Sequence, residues 1–218
     1  MRQLYFQNEN YLSSLPYLIS QISILNKMKV GLFFGSFNPI HKGHLLLANY
    51  MLDHTDLDRI WFVVSPHNPL KKKDTLLDEK QRLHMANLAI GDNTKLKASN
   101  IEFKLPQPSY TINTLSFLKE KYPKHEFAII MGADNLENFH KWKNYEKILK
   151  GFQLYVYPRN ESDGGTLNNH PKVKLVNAPF MEISSTAIRQ AIKEKKDLRF
   201  FMPDAVRHYI KEMHLYEK

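Results

Sequence analysis

The chain has 218 residues, enough for one well-packed domain with a small appendage, and 43% of them are hydrophobic. No window offers the ~18 or more uncharged apolar residues of a membrane helix, and zero cysteines exclude disulfides, cysteine-based metal sites and a thiol nucleophile, as befits a cytoplasmic protein. The formal charge of +9, from 31 Lys+Arg against 22 Asp+Glu, points to anionic partners without choosing between nucleic acid and small phosphates.

Residues 1–27 differ from the rest of the chain. They lack the basic start and small-residue cleavage site of a signal peptide, and polar residues interrupt their apolar ones. They read as an N-terminal extension of unassigned role with a short helix over 11–25. A second methionine, Met28, opens a body at 28–218 expected to form a single domain. There, 29–34 (KVGLFF) reads as a buried strand, followed by a Gly/Ser/Asn/Pro turn and a helix over 43–53. Residues 59–65 (RIWFVVS) form a second strand, with a Pro/Asn/Lys-rich loop behind it. Its Lys71-Lys72-Lys73 run is either a solvated loop or a substrate-steering patch. Asp78 is placed to cap a helix over 79–90, whose apolar positions Leu83, Leu88 and Ala89 recur at helical spacing.

Residues 96–103 read as extended with a break near Ser99-Asn100, and 111–122 as a helix stopped by Pro123. A short buried strand over 126–131 (EFAIIM) turns out through Gly132-Ala133-Asp134. Then come a helix at 145–150, strands at 152–157 and 173–176, and two closing helices at 185–193 and 204–214. The loop 160–171, with Gly164-Gly165 and Asn168-Asn169, reads as mobile. Strands alternating with helices imply an α/β, Rossmann-like doubly wound fold. It is expected to have a mostly parallel sheet, helices on both faces and a C-terminal helical segment. Continuous apolar runs such as FAII and WFVV suit strands buried on both sides. Ligands of such sheets bind beyond the carboxyl ends of the strands, near the switch in strand order.

The densest signal lies there, after the first strand: Gly35-Ser36-Phe37-Asn38-Pro39-Ile40-His41-Lys42-Gly43-His44. Backbone N–H groups and a helix dipole can receive phosphate at such a junction, and Gly35 and Gly43 permit close approach. His41 and His44, three apart, share one face of the first turn. The segment matches neither G-x-G-x-x-G nor G-x-x-x-x-G-K-[ST], so a standard dehydrogenase and a P-loop ATPase are excluded. Zinc ligation by the two histidines lacks a nearby carboxylate, so no resident metal site is expected. Plain helix-capping histidines are the bland alternative. Far downstream, Ile183-Ser184-Ser185-Thr186-Ala187-Ile188-Arg189 offers hydroxyls to cap a helix, free N–H groups for an anion and a guanidinium one turn further in.

G-x-F-x-P-x-H-x-G-H resembles the signature of the HxGH nucleotidyltransferase superfamily, and residues 183–189 resemble its I-S-S-T-x-I-R motif. Three middle segments resemble the bacterial nicotinate-nucleotide adenylyltransferase branch: Ser109-Tyr110-Thr111-Ile112-Asn113-Thr114-Leu115, Gly132-Ala133-Asp134-Asn135-Leu136 with the following Trp142, and Ser65-Pro66-His67-Asn68-Pro69-Leu70-Lys71. The likeness runs from Met28 to the C-terminus. It departs at His140, where that family often shows a proline.

The resemblance implies one nucleotidyltransferase domain over 28–218 and transfer of an adenylyl group from ATP, with Mg²⁺, to nicotinate mononucleotide. It implies His41, His44 and Arg189 as catalytic residues. ATP contacts are implied at Gly35, Ser36, Phe37, Gly43, Gly132, Asp134, Ile183, Ser184, Ser185 and Thr186. Acceptor contacts are implied at Thr111, Trp142, Lys143, Lys71 and Arg159. Trp142 would stack on the pyridine ring, and N–H groups near Thr111 and Lys143 would take its carboxylate. Asp134 either contacts ribose or a metal-bound phosphate or caps a helix, and Arg159 either reaches phosphate or faces solvent. Rival acceptors are nicotinamide mononucleotide and phosphopantetheine. A basic nucleic-acid-binding module is the rival of another class, but the basic residues are scattered with no stacking aromatics along one face. Neither nucleic acid nor a membrane is an expected partner, and a homo-oligomer is left open.

Overall fold

A computed structural model of the protein describes residues 27–66, 76–159, 162, 164–179 and 182–217. The expected helix at 11–25 and Lys71 lie outside them. Six strands, β1 Met28–Gly35, β2 Arg59–Val64, β3 Leu96–Ser99, β4 His125–Gly132, β5 Gln153–Tyr157 and β6 Val173–Leu175, form one sheet in the order β3-β2-β1-β4-β5-β6. Every pairing is parallel. The helices are α1 Lys42–His54, α2 Glu79–Ile90, α3 Thr111–Lys121, α4 Ala133–Glu137, α5 Tyr145–Gly151, α6 Ser185–Lys193 and α7 Asp204–Glu212.

The pleat divides the core in two, because successive side chains of a strand point to opposite faces. In β4, Ala128 and Ile130 pack with Ile60 and Phe62 of β2, Met51 of α1, Met85 of α2, Ile188 of α6 and Val206 of α7. Phe127, Ile129 and Met131 pack on the other face with Leu115 and Leu118 of α3 and Ile148 of α5. Burial on both faces is why these strands read as unbroken apolar runs. Between β1 and β4 the chain turns from winding one way to winding the other, so their carboxyl ends part and leave a crevice.

Three local readings need correction. The extended stretch 96–103 ends at Ser99, and Ile101–Lys104 form a 3₁₀ turn, because the Phe103 N–H returns to the Asn100 carbonyl (3.0 Å). The turn at 132–134 is instead a strand that continues through Gly132 and meets α4 directly, so Asp134 sits in the first turn of that helix and Gly132 is its cap. In α2 the most buried positions are Arg82, Met85 and Ala86, with Leu83, Leu88 and Ala89 at the margin of the core. Within 160–171, Gly165–Leu167 form a 3₁₀ turn packed on α4. Asp78 does cap α2, accepting from the Lys80 N–H at 2.8 Å.

Candidate active site

The crevice is a cavity of about 550 Å³ walled by the ends of β1, β4 and β5 and the starts of α1, α3 and α6. On one side stands the loop 35–44. His41 is the N-cap of α1, and its backbone N–H donates to Nδ1 of His44 at 3.2 Å. The two rings lie 3.8 Å apart between centroids, tilted by 30°. His44 also meets the edges of Phe37 (5.1 Å) and Phe33 (5.9 Å), which hold it upright. Phe37 takes a left-handed backbone (φ 46°), and its ring folds back across Gly35, where a Cβ would come within 2.8 Å of it. A Cβ on Gly43 would stand 3.0 Å from His41 Nδ1. Both glycines therefore make room for the loop's own side chains.

His41 is 4% exposed. Burial, aided by the positive charge of Arg159, pushes its pKa down to about 4, so the ring is neutral near pH 7, with one nitrogen able to donate and the other to accept. Beside the loop, at the head of α6, the three hydroxyls divide their work. Ser184 accepts from the Ala187 N–H (3.1 Å) as the helix cap, Ser185 donates to the Pro39 carbonyl (2.9 Å), and Thr186 accepts from Arg189 (3.3 Å). Ile183, Ser184, Ser185 and Thr186 all line the cavity, as do Gly35, Ser36, Phe37, His41, Gly43 and His44.

The far wall is made by Thr111 at the head of α3, Trp142, Lys143, Gly132, Asp134 and Arg159. Lys143 Nζ sits 4.2 Å over the Tyr110 ring, and Trp142 packs 5.0 Å from Phe139 while one face of the cavity remains beside it. Gly132 lets Asp134 and Arg159 close over the end of β4. His140 is exposed and does not line the cavity. One expected member is placed differently. Arg189 is not part of the cavity lining; its guanidinium donates to the Asn38 carbonyl at 2.8 Å from behind the loop.

Sequence reading missed three residues. Glu102 is buried yet lines the cavity, bonded by Thr114 (2.9 Å) and Ser109 (3.2 Å); burial raises its pKa against those bonds. Tyr157, at the end of β5, is pushed up to about 12 by burial, with the Asp134 charge adding and Arg159 opposing. Arg82, with no exposed surface, donates to the carbonyls of Leu77, Ser36, Ser65 and Pro66 at 2.7–2.8 Å. Only the residue type was visible in each case, because the partners come from distant segments.

Residues 32–191 match the profile of the cytidylyltransferase-like family. A protein of Flavobacterium johnsoniae named "Probable nicotinate-nucleotide adenylyltransferase" is 58% identical over 193 residues, covering 88% of this chain and 100% of the relative. The chain belongs to the nicotinate-nucleotide adenylyltransferase family. A member from Flavobacterium psychrophilum with the same name is 57% identical over the same share of both chains, and one from Bacteroides thetaiotaomicron is 45% identical over 86% of this chain and 93% of its own. In fold, the chain is similar to Plasmodium falciparum nicotinic acid mononucleotide adenylyltransferase complexed with NaAD. That match has a TM-score of 0.73 and 21% identity, and covers 87% of this chain and 97% of the other. The crevice between β1 and β4 has walls of two chemical kinds. Imidazoles and hydroxyls stand on one side, and an aromatic ring beside a helix start on the other.

Proposed function

We propose that the chain transfers the adenylyl group of ATP to nicotinate mononucleotide, giving deamido-NAD and pyrophosphate, from a single domain over 28–218. The observation that carries the reading is that His41, His44, Ser184–Thr186, Thr111 and Trp142, far apart in sequence, line one cavity. The acceptor's phosphate oxygen forms a bond to the α-phosphorus as the bond from that phosphorus to the bridging oxygen of pyrophosphate breaks. The nucleophile is already anionic, since the second pKa of a phosphomonoester is ~6, so no proton need be removed. This suits a site whose buried histidine is neutral and whose Nδ1, among the described residues, has no hydrogen-bond partner to orient it as a base.

What the protein supplies is position and charge neutralisation. His44 takes the α-phosphate and His41 the phosphate chain, while N–H groups around Ser36, Phe37 and the head of α6 hold its oxygens. Arg189, which lies outside the cavity lining and bonds the Asn38 carbonyl and Thr186, braces the loop against the head of α6 instead of taking the leaving pyrophosphate. Mg²⁺ arrives with ATP as part of the substrate. Among the described residues no group of three or more His, Asp or Glu is set to cage a metal. Asp134 lines the cavity and suits a metal held mostly by phosphate oxygens and water. Trp142 stacks on the pyridine ring, and the head of α3, whose first N–H groups lack helical partners, receives the ring carboxylate with Lys143 beside it. Arg159 serves the acceptor phosphate, and Lys71 steers it from the loop after β2. No helix among the described residues is long and apolar enough to cross a membrane.

Pyrophosphate release decides the matter. ATP is offered with nicotinate mononucleotide, nicotinamide mononucleotide or phosphopantetheine, with and without Mg²⁺. Release with the first acceptor, dependent on Mg²⁺, is the expected result. No release with it, or preference for either of the others, refutes the proposal.

A further inference from the structure

The loop 36–39 makes its turn with one residue, Phe37, in the left-handed region, and its acceptors are held by side chains from elsewhere in the chain. Arg82 donates to the Ser36 carbonyl at 2.7 Å, Arg189 to the Asn38 carbonyl at 2.8 Å and Ser185 to the Pro39 carbonyl at 2.9 Å. Tyr216, near the end of the chain, donates its buried hydroxyl to Asn38 Oδ1 at 2.7 Å, and the Leu77 N–H reaches the same oxygen at 3.3 Å. Within a planar trans peptide the carbonyl and the next N–H point in opposite directions. Pinning the Ser36 carbonyl therefore fixes the direction of the Phe37 N–H, and both residues line the cavity.

Arg82 stands out in this set. Its side chain is fully buried, and among the described residues its four hydrogen bonds all end on backbone carbonyls. Two of those, Ser65 and Pro66, come after β2, so one planar group ties the loop after β1 to the loop after β2. Burying a cation on neutral partners is costly, and an apolar side chain would fill the space at less cost. A packing role alone therefore leaves the choice of residue unexplained. Fixing two loops in register, with positive charge directly behind the phosphate wall, accounts for it.

We propose that Arg82 and Tyr216 are positioning residues for the transfer. Neither touches substrate; each holds the loop 36–39 in the conformation that presents its N–H groups and His41 to the phosphates. The inference rests on the adenylyl-transfer reading of the site. A lysine at 82 keeps the charge but is a point donor that cannot span both loops.

The test compares wild type, Arg82→Lys and Tyr216→Phe by steady-state pyrophosphate release and by hydrogen exchange of the free enzymes, below each variant's melting temperature. Arg82→Lys is expected to lower kcat ~10–100-fold with KM for both substrates little changed, the signature of a misplaced group felt in the transition state. Tyr216→Phe lowers kcat a few-fold. In both, exchange quickens over 35–44 and not over the strand peptides 28–34 and 125–131. A folded Arg82→Lys enzyme with wild-type kcat overturns the proposal, as does exchange that rises evenly along the chain. Should Arg82→Lys fail to fold, Tyr216→Phe decides by the same two readouts, and unchanged values in it refute the idea. Because exchange needs no acceptor, a wild type that ignores nicotinate mononucleotide would defeat the functional reading while leaving this measurement decisive.

Discussion

The two histidines are three residues apart, yet they sit in different surroundings. His44 is half-buried between two phenylalanine edges and accepts the His41 N–H, whereas His41 is sealed in. In the proposed reaction, removing His44 would take away a donor to the α-phosphate, a loss that typically costs ~10²–10³-fold in rate. His44→Ala is expected to lose that much kcat, and thermal melting should show only the ~1 kcal/mol due to a lost capping bond. A variant turning over at near the wild-type rate would take His44 out of the chemistry. For His41 the folded pKa of about 4 lies below the ordinary 6.5. Between those values the unfolded chain carries a proton that the folded chain refuses. Its contribution to stability is thus intact above pH 6.5 and is lost as pH falls toward 4, by up to about 3 kcal/mol. A melting series over pH 7 to 4 should slope less steeply in His41→Gln than in wild type; identical slopes would contradict the burial argument.

At the scale of the element, the head of α6 shows how one run of hydroxyls serves several ends. Ser184 caps the helix, Ser185 reaches across to the loop at 35–44, and Thr186 braces Arg189. Ser184→Ala removes the cap alone and should lower stability by about 1 kcal/mol, read from denaturant midpoints at constant m. A loss well beyond that would mean the hydroxyl has a second structural partner. α4 and the turn at Phe139–Lys141 show the converse dependence on context. Five residues and three residues cannot sustain a helix in water, and these hold because Ala133, Leu136 and Phe139 are buried on the sheet. They carry the chain from the end of β4 to Trp142, so the aromatic wall depends on packing beneath it.

Across the whole molecule, the strand order separates the ends of β1 and β4 and lets α1, α3 and α6 converge on one crevice. The two walls are built from different elements, so damage to one should leave the other's ligand in place. Trp142→Ala is expected to raise KM for nicotinate mononucleotide ~10-fold, the equivalent of ~1.4 kcal/mol of lost stacking, with KM for ATP unchanged. Equal rises in both constants would show that the walls are not separable.

The alternation of strands and helices and the burial of the central strands on both faces could be read from residue patterns, since those patterns repeat with the period of the backbone that bears them. The loop at 35–44 and the hydroxyl run Ser184-Ser185-Thr186 stood out for a similar reason: a helix start that can offer N–H groups to an anion draws on residue types within a few positions of one another. The role of Arg82 was not, and its charge argued against burial until the fold brought four carbonyls around it. Nor could spacing reveal that Glu102 lines the cavity, that Tyr216 reaches back to Asn38, or that Arg189 turns to a carbonyl behind the loop. Local order comes from neighbours along the chain. Whether a charged or hydroxyl group is buried, and on which partner, is set by segments distant in sequence, and only tertiary packing puts them in place.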